Sequence, residues 1–448
     1  APGLENPGAS ITPADVAEAM TWDGVIGLGE MMNFPGVFNN DQNMLAEMAA
    51  TMRANKTVGG HYASLDLGRP FHAYIAGGAA DDHETTREID GVERARRGMK
   101  NMMRLGSAWY DVEAQITAIT EKGLDPRNYI LCTDDVNAET LVTEGHMDRV
   151  LRHAVDLGCD PLVAIQMMTL NTAQHFGVDR DLGSLAPGRF ADIVLTEHLD
   201  DFVAQTVIAN GELVAENGTL LVDLPAYEHD AKFKQSIHLG RPLTPTDFLL
   251  DADGTADGTT VTANVIGVIE NQAPTRHLTA SLTVENGSIQ PDLQNDVLRI
   301  ALVERHKGTS GVINGFVSGF GFVGQMAMAS TVAHDSHHMI VVGTSEANMA
   351  AAANKLAEVG GGVVVMRNGE PLALVELPIA GLMSNKRADI VAEEAGQMLK
   401  AMQDCGCQLN NAYMQLSLLA LVVIPELRIS DMGLVDVTTF SHVPVIAE

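Results

Sequence analysis

A repeating pattern of apolar and polar positions organises residues 1 to about 185. Short apolar runs, each ending in polar residues, alternate with segments whose apolar residues recur at helical spacing. Apolar runs bounded by turn signals predict buried strands, and helical spacing predicts amphipathic helices. The predicted strands are 24–30, 56–61, 74–80, 99–104 and 129–134, and the predicted helices are 41–54, 86–97, 111–122, 145–157 and 160–176.

This alternation of strands and helices favours a parallel sheet. Successive strand ends lie about 20 to 30 residues apart, close to the repeat of a (β/α)8 barrel. The pattern contains five such units, whereas a closed barrel needs eight. It therefore predicts either an open α/β sheet or a barrel whose first three units precede residue 1.

The pattern changes in the second half of the chain. Short strands separated by the turns Asn210-Gly211 and Asn217-Gly218 predict a small β-sandwich module. A polar, proline-containing stretch then predicts a linker. Further strand patterns with two strong helix patterns predict an α+β domain. The limits of the predicted parts are 1–182 for the barrel, 183–222 for the β module, 223–260 for the linker and 261–448 for the C-terminal domain.

Four side chains of metal-ligand type follow four of the predicted strands: Glu30, His61, His83 and Asp134. The C-terminal ends of barrel strands carry the chemistry in this fold. Imidazole and carboxylate ligands suit Zn, Mn or Fe(II), and such a cation lowers the pKa of a bound water. Each residue alone has an ordinary structural explanation, such as a hydrogen-bonded histidine or a helix-capping aspartate. The joint pattern favours a divalent-metal site.

Composition excludes two classes of partner. The 448 residues include 58 acidic and 28 basic side chains, for a formal net charge of −30. Nucleic acids and anionic lipids require a basic face, so we expect neither as a partner. We find no apolar run near the roughly 20 residues of a membrane span. The four cysteines lack C-x-x-C spacing and favour a reducing compartment, so we expect a cytoplasmic protein.

Several motifs in the chain are more specific than its composition. Glu30-Met-Met-Asn-Phe-Pro-Gly36 is the most distinctive, and the others lie at 60–61, 82–84, 131–136, 183–195, 331–337 and 377–384. Together they resemble the amidohydrolase superfamily and, more narrowly, its adenine deaminase family. The resemblance implies an amidohydrolase-type (β/α)8 barrel of which only the later strands are present, followed by the family's C-terminal domain.

The resemblance also implies a binuclear divalent metal centre that contains Mn, Fe(II) or Zn. Glu30 matches the carboxylate that bridges the two ions. His61 and His83 match the ligands on the fifth and sixth strands of the barrel. Asp134 matches the eighth-strand aspartate that both binds metal and moves protons.

The implied reaction is the hydrolytic deamination of adenine to hypoxanthine and ammonia by a metal-bound hydroxide, in purine salvage. The resemblance assigns catalytic roles to Asp134 and Glu84, although Glu84 could instead orient neighbouring groups. Arg104 and Ser107, at the end of the seventh strand, would face the substrate. We expect a small-molecule substrate, adenine, and a homo-oligomer.

One family feature is absent from these 448 residues. Amidohydrolases take two ligands from a His-x-His at the end of the first strand, and this sequence contains no His-x-His. We therefore expect the family pattern to start upstream of Ala1. The alternative functions are another metal-dependent amidohydrolase, or a non-catalytic fragment without the first-strand His pair. A further cluster, His334, Asp335, His337 and His338, favours a structural or lid role over a metal site.

Overall fold

The structure, a computed structural model, describes residues 3–225, 227–252 and 254–447. It divides into two compact units. The barrel unit comprises Ile11–Val136 and Thr143–Tyr227. The C-terminal unit comprises the described parts of 1–10, 137–142 and 228–448. No helix of the described residues is long and apolar enough to cross a membrane.

Five parallel strands form the centre of the barrel unit. They are β1 (Gly27–Met31), β2 (Thr57–Gly60), β3 (Asp81–Asp82), β4 (Lys100–Arg104) and β5 (Tyr129–Cys132). β1 pairs with β2, and β3, β4 and β5 pair in that order, all of them parallel. The Ala80 amide donates to the Val58 carbonyl at 2.9 Å and joins the two groups of strands. The predicted parallel arrangement is confirmed, and the C-terminal strand ends therefore share one edge.

Helices follow the strands, and several begin at a polar cap. Asp41 accepts hydrogen bonds from the first amides of the helix Gln42–Arg53, and Asp160 does the same for the helix Pro161–Met168. The helices before the β module are α1 (Pro13–Ala19), α2 (Phe34–Phe38), α3 (Gln42–Arg53), α4 (Arg69–Gly77), α5 (Glu88–Arg96), α6 (Val112–Thr120), α7 (Ala138–Thr143), α8 (Met147–Asp156), α9 (Pro161–Met168) and α10 (Leu170–His175). A 3-10 turn, Pro126–Asn128, precedes β5.

Two predicted elements differ from the structure. The predicted strand 74–80 was wrong, because helix α4 extends to Gly77 and only two residues form β3. Phe71 and Tyr74 are both buried at helical i, i+3 spacing, and Pro70 favours the first helical turn. The predicted helix 160–176 is two helices, because Thr169 has non-helical backbone angles.

The β module is a single antiparallel sheet of four strands in sequence order. They are β6 (Ile193–Leu195), β7 (Thr206–Ala209), β8 (Glu212–Glu216) and β9 (Thr219–Leu220). The predicted hairpin between β7 and β8 is confirmed. Asn210 and Gly211 in its turn both have positive φ, which suits the right-handed twist of the strands.

The C-terminal unit is built on a nine-stranded sheet. The strands are β10 (Thr260–Gly267), β11 (Arg276–Glu285), β12 (Ser288–Ile289), β13 (Leu298–Val303), β14 (Val312–Ser318), β15 (Met326–Ser330), β16 (Met339–Gly343), β17 (Gly362–Arg367) and β18 (Glu370–Glu376). Their order in the sheet is β12-β11-β10-β14-β13-β16-β15-β17-β18, and neighbouring strands are antiparallel except for β10 with β14. A second sheet contains β19 (Leu427–Ser430), β20 (Gly433–Asp436) and β21 (Ser441–Val443).

Helices cover both faces of the nine-stranded sheet. They are α11 (Glu346–Val359), α12 (Ala388–Asp404) and α13 (Ala412–Leu418). Alternate residues of β13 point to opposite faces, so Ile300 packs into the core with α12 and α13, whereas Ala301 packs into the core with α11. Short 3-10 turns lie at Ala231–Lys234, Pro245–Phe248 and Leu293–Asn295.

The stretch 223–260, which the sequence predicts to be a linker, contains residues that are buried in the C-terminal unit. Leu243 and Phe248 pack against the α11 face of the sheet, and Phe248 is fully buried. The hydrophobic side chains of this segment are separated by prolines and polar residues, so the sequence shows no regular period there. The predicted domain limits stay a prediction.

We expect Phe248→Ala to lower the free energy of unfolding by about 3–5 kcal/mol, because it leaves a cavity in this core. The matched control is Leu249→Ala, since the adjacent Leu249 side chain is exposed and its loss should cost less than about 0.5 kcal/mol. Urea-induced unfolding of both variants measures the difference. Equal losses would show that the segment is not part of the core.

Candidate metal and catalytic site

The four predicted ligands lie at the shared edge of the parallel strands. Glu30 is on β1, His61 and His83 directly follow β2 and β3, and Asp134 lies two residues after β5. Asp134 has a left-handed backbone, with φ of 61°, which turns the chain away from the sheet after β5. Parallel pairing thus brings together side chains that are up to 104 positions apart in the sequence.

Glu30 contacts both imidazoles. Its Oε2 lies 3.0 Å from His61 Nδ1 and 2.8 Å from His83 Nε2, and the two ring nitrogens are 3.3 Å apart. Ligands that bind one cation at about 2.0–2.2 Å lie roughly 3 Å from one another. His61 Nε2 is buried without a hydrogen-bond partner. The spacing and chemistry of these donors therefore fit a shared divalent cation.

A second group of ligand-type atoms overlaps the first. His83, Glu84 and Asp134 each offer an atom within 4.8 Å of the other two. His83 belongs to both groups, so all four predicted ligands and Glu84 form one cluster. An array of histidines and carboxylates around a shared edge is the donor set that Zn, Mn and Fe(II) accept.

Electrostatic interactions keep two carboxylates of this cluster, Glu30 and Glu84, ionised. Burial opposes the charge of Glu30, but hydrogen bonds and charges from His61 and His83 hold its pKa well below the usual range. Burial also opposes the charge of His83, yet Glu30 raises the pKa of that imidazole to about 9. Burial also opposes the charge of Glu84, but the neighbouring positive charges, chiefly that of Arg104, lower the pKa of its carboxyl to about 2. An ionised carboxylate is the form that binds a cation.

Arg104, which we expect to face the substrate, contacts carboxylates in the structure, and its substrate role stays a prediction. The side chain is buried and its guanidinium binds three carboxylates. Nη1 donates to Glu84 Oε1 at 2.5 Å and to Asp134 Oδ2 at 2.7 Å, whereas Nε donates to Asp111 Oδ2 at 2.5 Å. Each of its three nitrogens therefore contacts a carboxylate, and the fixed planar geometry of the guanidinium sets the directions of these contacts.

Ser107 lies in a buried loop after β4. Its amide donates to the Asp135 carbonyl at 2.7 Å, and the Ala108 amide donates to Asp135 Oδ2 at 2.7 Å. Burial is the main cause that raises the pKa of Asp135 to about 7. Gly106 has no space for a side chain, since an added Cβ would lie 1.8 Å from Asp135 Oδ1. These contacts fix the loop against the end of β5.

A cavity of about 330 Å³ lies beside the cluster. Its size is within the range of small-molecule sites. The lining includes Glu30, His83 and Asp134, whereas Arg104 and Ser107 are not among the lining residues. The remaining lining residues are Gly29, Gly59, Gly60, Asp81, Met102, Cys132 and Phe176.

Sequence reasoning missed the buried carboxylates that support the site. Asp82 binds the Arg94 guanidinium at 2.6 Å and accepts hydrogen bonds from the amides of Tyr62 and Glu84. Asp111 was also missed, because its position at the start of a predicted helix is that of an ordinary helix cap. The Asp-Asp-His-Glu run at 81–84 was the available signal for Asp82.

The cluster His334, Asp335 and His337 lies in the C-terminal unit. Ligand-type atoms of the three residues are within 4.8 Å of one another. Burial lowers the pKa of His337 to about 4, so its ring is neutral. The Ala333 amide donates to His337 Nδ1 at 3.2 Å, which leaves the ring proton on Nε2 and no free lone pair for a metal. The structural or lid role stays a prediction.

Two family models match the chain. The amidohydrolase family matches residues 14–214, and the adenine deaminase C-terminal domain matches residues 272–441. Among solved structures, a β-aspartyl dipeptidase from Fervidobacterium islandicum AW-1 aligns with 47% of this chain and 63% of its own, at 18% identity and a TM-score of 0.38. The two matching family models, together with the strand-end cluster, identify the chain as an amidohydrolase.

Two curated relatives show to which family of amidohydrolases the chain belongs. An adenine deaminase of Paracoccus denitrificans (strain Pd 1222) is 65% identical over 443 residues, which are 99% of this chain and 73% of the relative. An adenine deaminase of Roseobacter denitrificans (strain ATCC 33942 / OCh 114) is 64% identical over 446 residues, which are 100% of this chain and 74% of the relative. The chain belongs to the adenine deaminase family, and the predicted resemblance is confirmed.

The close approach of β1 and β2 sets the position of Glu30 and His61. A Cβ added at Gly59 would lie 1.8 Å from the Gly29 carbonyl oxygen, so Gly59→Ala must push the strands apart. We expect it to lower the free energy of unfolding by about 1–3 kcal/mol. Gly29→Ala is the matched control on the facing strand, because a Cβ there meets no atom within 4 Å. Thermal unfolding compares the two variants, and equal stability would contradict this account.

Proposed function

We propose that the strand-end cluster catalyses the hydrolytic deamination of adenine to hypoxanthine and ammonia. The observation that carries the proposal is the contact of Glu30 with both His61 and His83, with Glu84 and Asp134 beside them. It occurs in a chain that is 65% identical to an adenine deaminase. The adjacent cavity has the size of a small-molecule site.

The proposed cofactor is a binuclear centre of Mn, Fe(II) or Zn. Glu30, His61, His83 and Asp134 are its ligands in this chain, and their donor types suit these cations. Glu30 would be the ligand shared by the two ions, as the family resemblance implies, and its Oε2 lies within 3.0 Å of both imidazoles. A bound divalent cation lowers the pKa of water and so supplies a nucleophile near neutral pH.

Asp134 and Glu84 move the protons of the reaction. The water oxygen bonds to C6 of adenine, and the bond from C6 to the amino nitrogen breaks. Asp134 accepts a proton from the attacking oxygen and passes it to the amino group, which leaves as ammonia. Glu84 carries the other proton of the water to the ring nitrogen beside C6. Ser107 stays a proposed substrate contact, at the loop that follows β4.

Removal of a metal ligand tests the cofactor. We expect Glu30→Ala and His83→Ala to bind less metal and to lower kcat at least ~100-fold, because each removes a direct ligand. Elemental analysis of the purified full chain gives the metal content, and release of hypoxanthine from adenine gives the activity. His72→Ala is the control, since His72 is an exposed residue of α4. Unchanged metal content in Glu30→Ala and His83→Ala would reject the proposed ligands.

Glu84→Gln separates proton transfer from metal binding. We expect kcat to fall ~100-fold, in the range of general acid–base contributions, with metal content unchanged. Glu93→Gln is the control, because Glu93 pairs with Arg96 and Arg97 and is not part of the cluster. Wild-type activity in Glu84→Gln would exclude this residue as the carrier of the ring-nitrogen proton.

A further inference from the structure

Arg104 connects the two residues to which we assign proton transfer. Its Nη1 is shared between Glu84 Oε1 and Asp134 Oδ2, at 2.5 and 2.7 Å, and Nη2 lies 3.3 Å from Glu84 Oε2. The guanidinium is planar and rigid, so its orientation determines where both carboxylates point. Arg104 is 1% exposed, and water cannot replace a lost partner.

The orientation of this guanidinium depends on its remaining donor, Nε. Asp111 Oδ2 accepts from Arg104 Nε at 2.5 Å. The backbones of the same two residues are also joined, since the Asp111 amide donates to the Arg104 carbonyl at 3.0 Å. The carboxylate of Asp111 is thus placed by the main chain and holds Arg104 through Nε, the nitrogen that contacts neither Glu84 nor Asp134.

Asp111 occupies the cap position of α6 but does not cap the helix. An aspartate at this position ordinarily accepts a hydrogen bond from an amide of the first helical turn. The Asp111 side chain makes no such bond. Asp41 and Asp160, at the same position of α3 and α9, do accept amide hydrogen bonds. The side chain of Asp111 therefore bonds to Arg104 instead of to the amides of its own helix.

We propose that Asp111 is a positioning residue for the reaction: it orients Arg104, which aligns Glu84 and Asp134 for proton transfer. This inference rests on the proposed function of the site. Asp111 does not line the cavity beside the cluster, and its oxygen is bound to Arg104. Its loss should therefore slow the chemical step and leave substrate binding unchanged.

Asp111→Ala and Asp111→Asn test the inference. The alanine variant leaves Arg104 Nε without a partner, and we expect kcat to fall ~10- to 100-fold, as for supporting residues of metal sites. The asparagine variant keeps an acceptor oxygen and should recover part of this loss. KM for adenine should stay within about 2-fold of wild type, because Asp111 does not line the cavity. Steady-state kinetics at saturating metal concentration measure kcat and KM.

The matched control is Asp90→Ala. Asp90 is a buried carboxylate that is bonded to Arg87 near the start of α5, whereas the carboxylates bonded to Arg104 are Glu84, Asp111 and Asp134. We expect kcat of this variant to stay within about 2-fold of wild type. A similar loss of kcat in Asp90→Ala and Asp111→Ala would overturn the inference, because any buried carboxylate would then have the same effect.

A double-mutant cycle tests whether Asp111 acts through Arg104. Lysine has a single nitrogen in place of the planar guanidinium and cannot reproduce the separate contacts of Nε and Nη1, so Arg104→Lys alone should reduce kcat. Adding Asp111→Ala to Arg104→Lys should cause less than about 3-fold further loss, since the residue to be oriented is gone. If the loss of kcat in the double variant equals the product of the losses in the two single variants, the inference is overturned. Wild-type chain that releases no hypoxanthine from adenine would instead overturn the proposed function itself.

Discussion

Parallel pairing of β1 to β5 is the constraint on which the site depends. It places the C-terminal ends of five strands at one edge, where Glu30, His61, His83 and Asp134 converge. The pairing requires close contact of main chains, which is possible because Gly59 has no side chain. Without this packing the four side chains would be separate polar residues in a long sequence.

Charge balance is the second requirement of the site. Carboxylates gathered at one edge repel one another, and burial further disfavours the ionised form of Glu84, whose side chain is 7% exposed. Arg104 offsets this repulsion through contacts with Glu84, Asp134 and Asp111. The imidazoles offset the charge of Glu30 in the same way. These contacts lower the pKa values of Glu30 and Glu84, so both carboxylates are ionised and able to bind a cation.

Much of the barrel unit could be predicted from the sequence, because apolar runs and helical spacing are local signals. β5 and α3 are examples in which the predicted limits differ by at most two residues. The strand predicted at 74–80 failed because a run of apolar residues does not by itself distinguish strand from helix. β15, Met-Ala-Met-Ala-Ser, was missed because its residues favour helices, and only pairing with β16 and β17 makes it a strand.

The sequence by itself determined the types of ligand and their order along the chain, because a carboxylate or an imidazole at a strand end is visible without a structure. It also determined family membership through short motifs such as Glu30-Met-Met-Asn-Phe-Pro-Gly36. Only the tertiary structure decided that Arg104 binds carboxylates and that Asp111, instead of capping its helix, is one of these carboxylates. The sequence does not identify these hydrogen-bond partners, because they are distant along the chain or have more than one ordinary role. Which polar groups bond to one another depends on which of them the fold brings into contact.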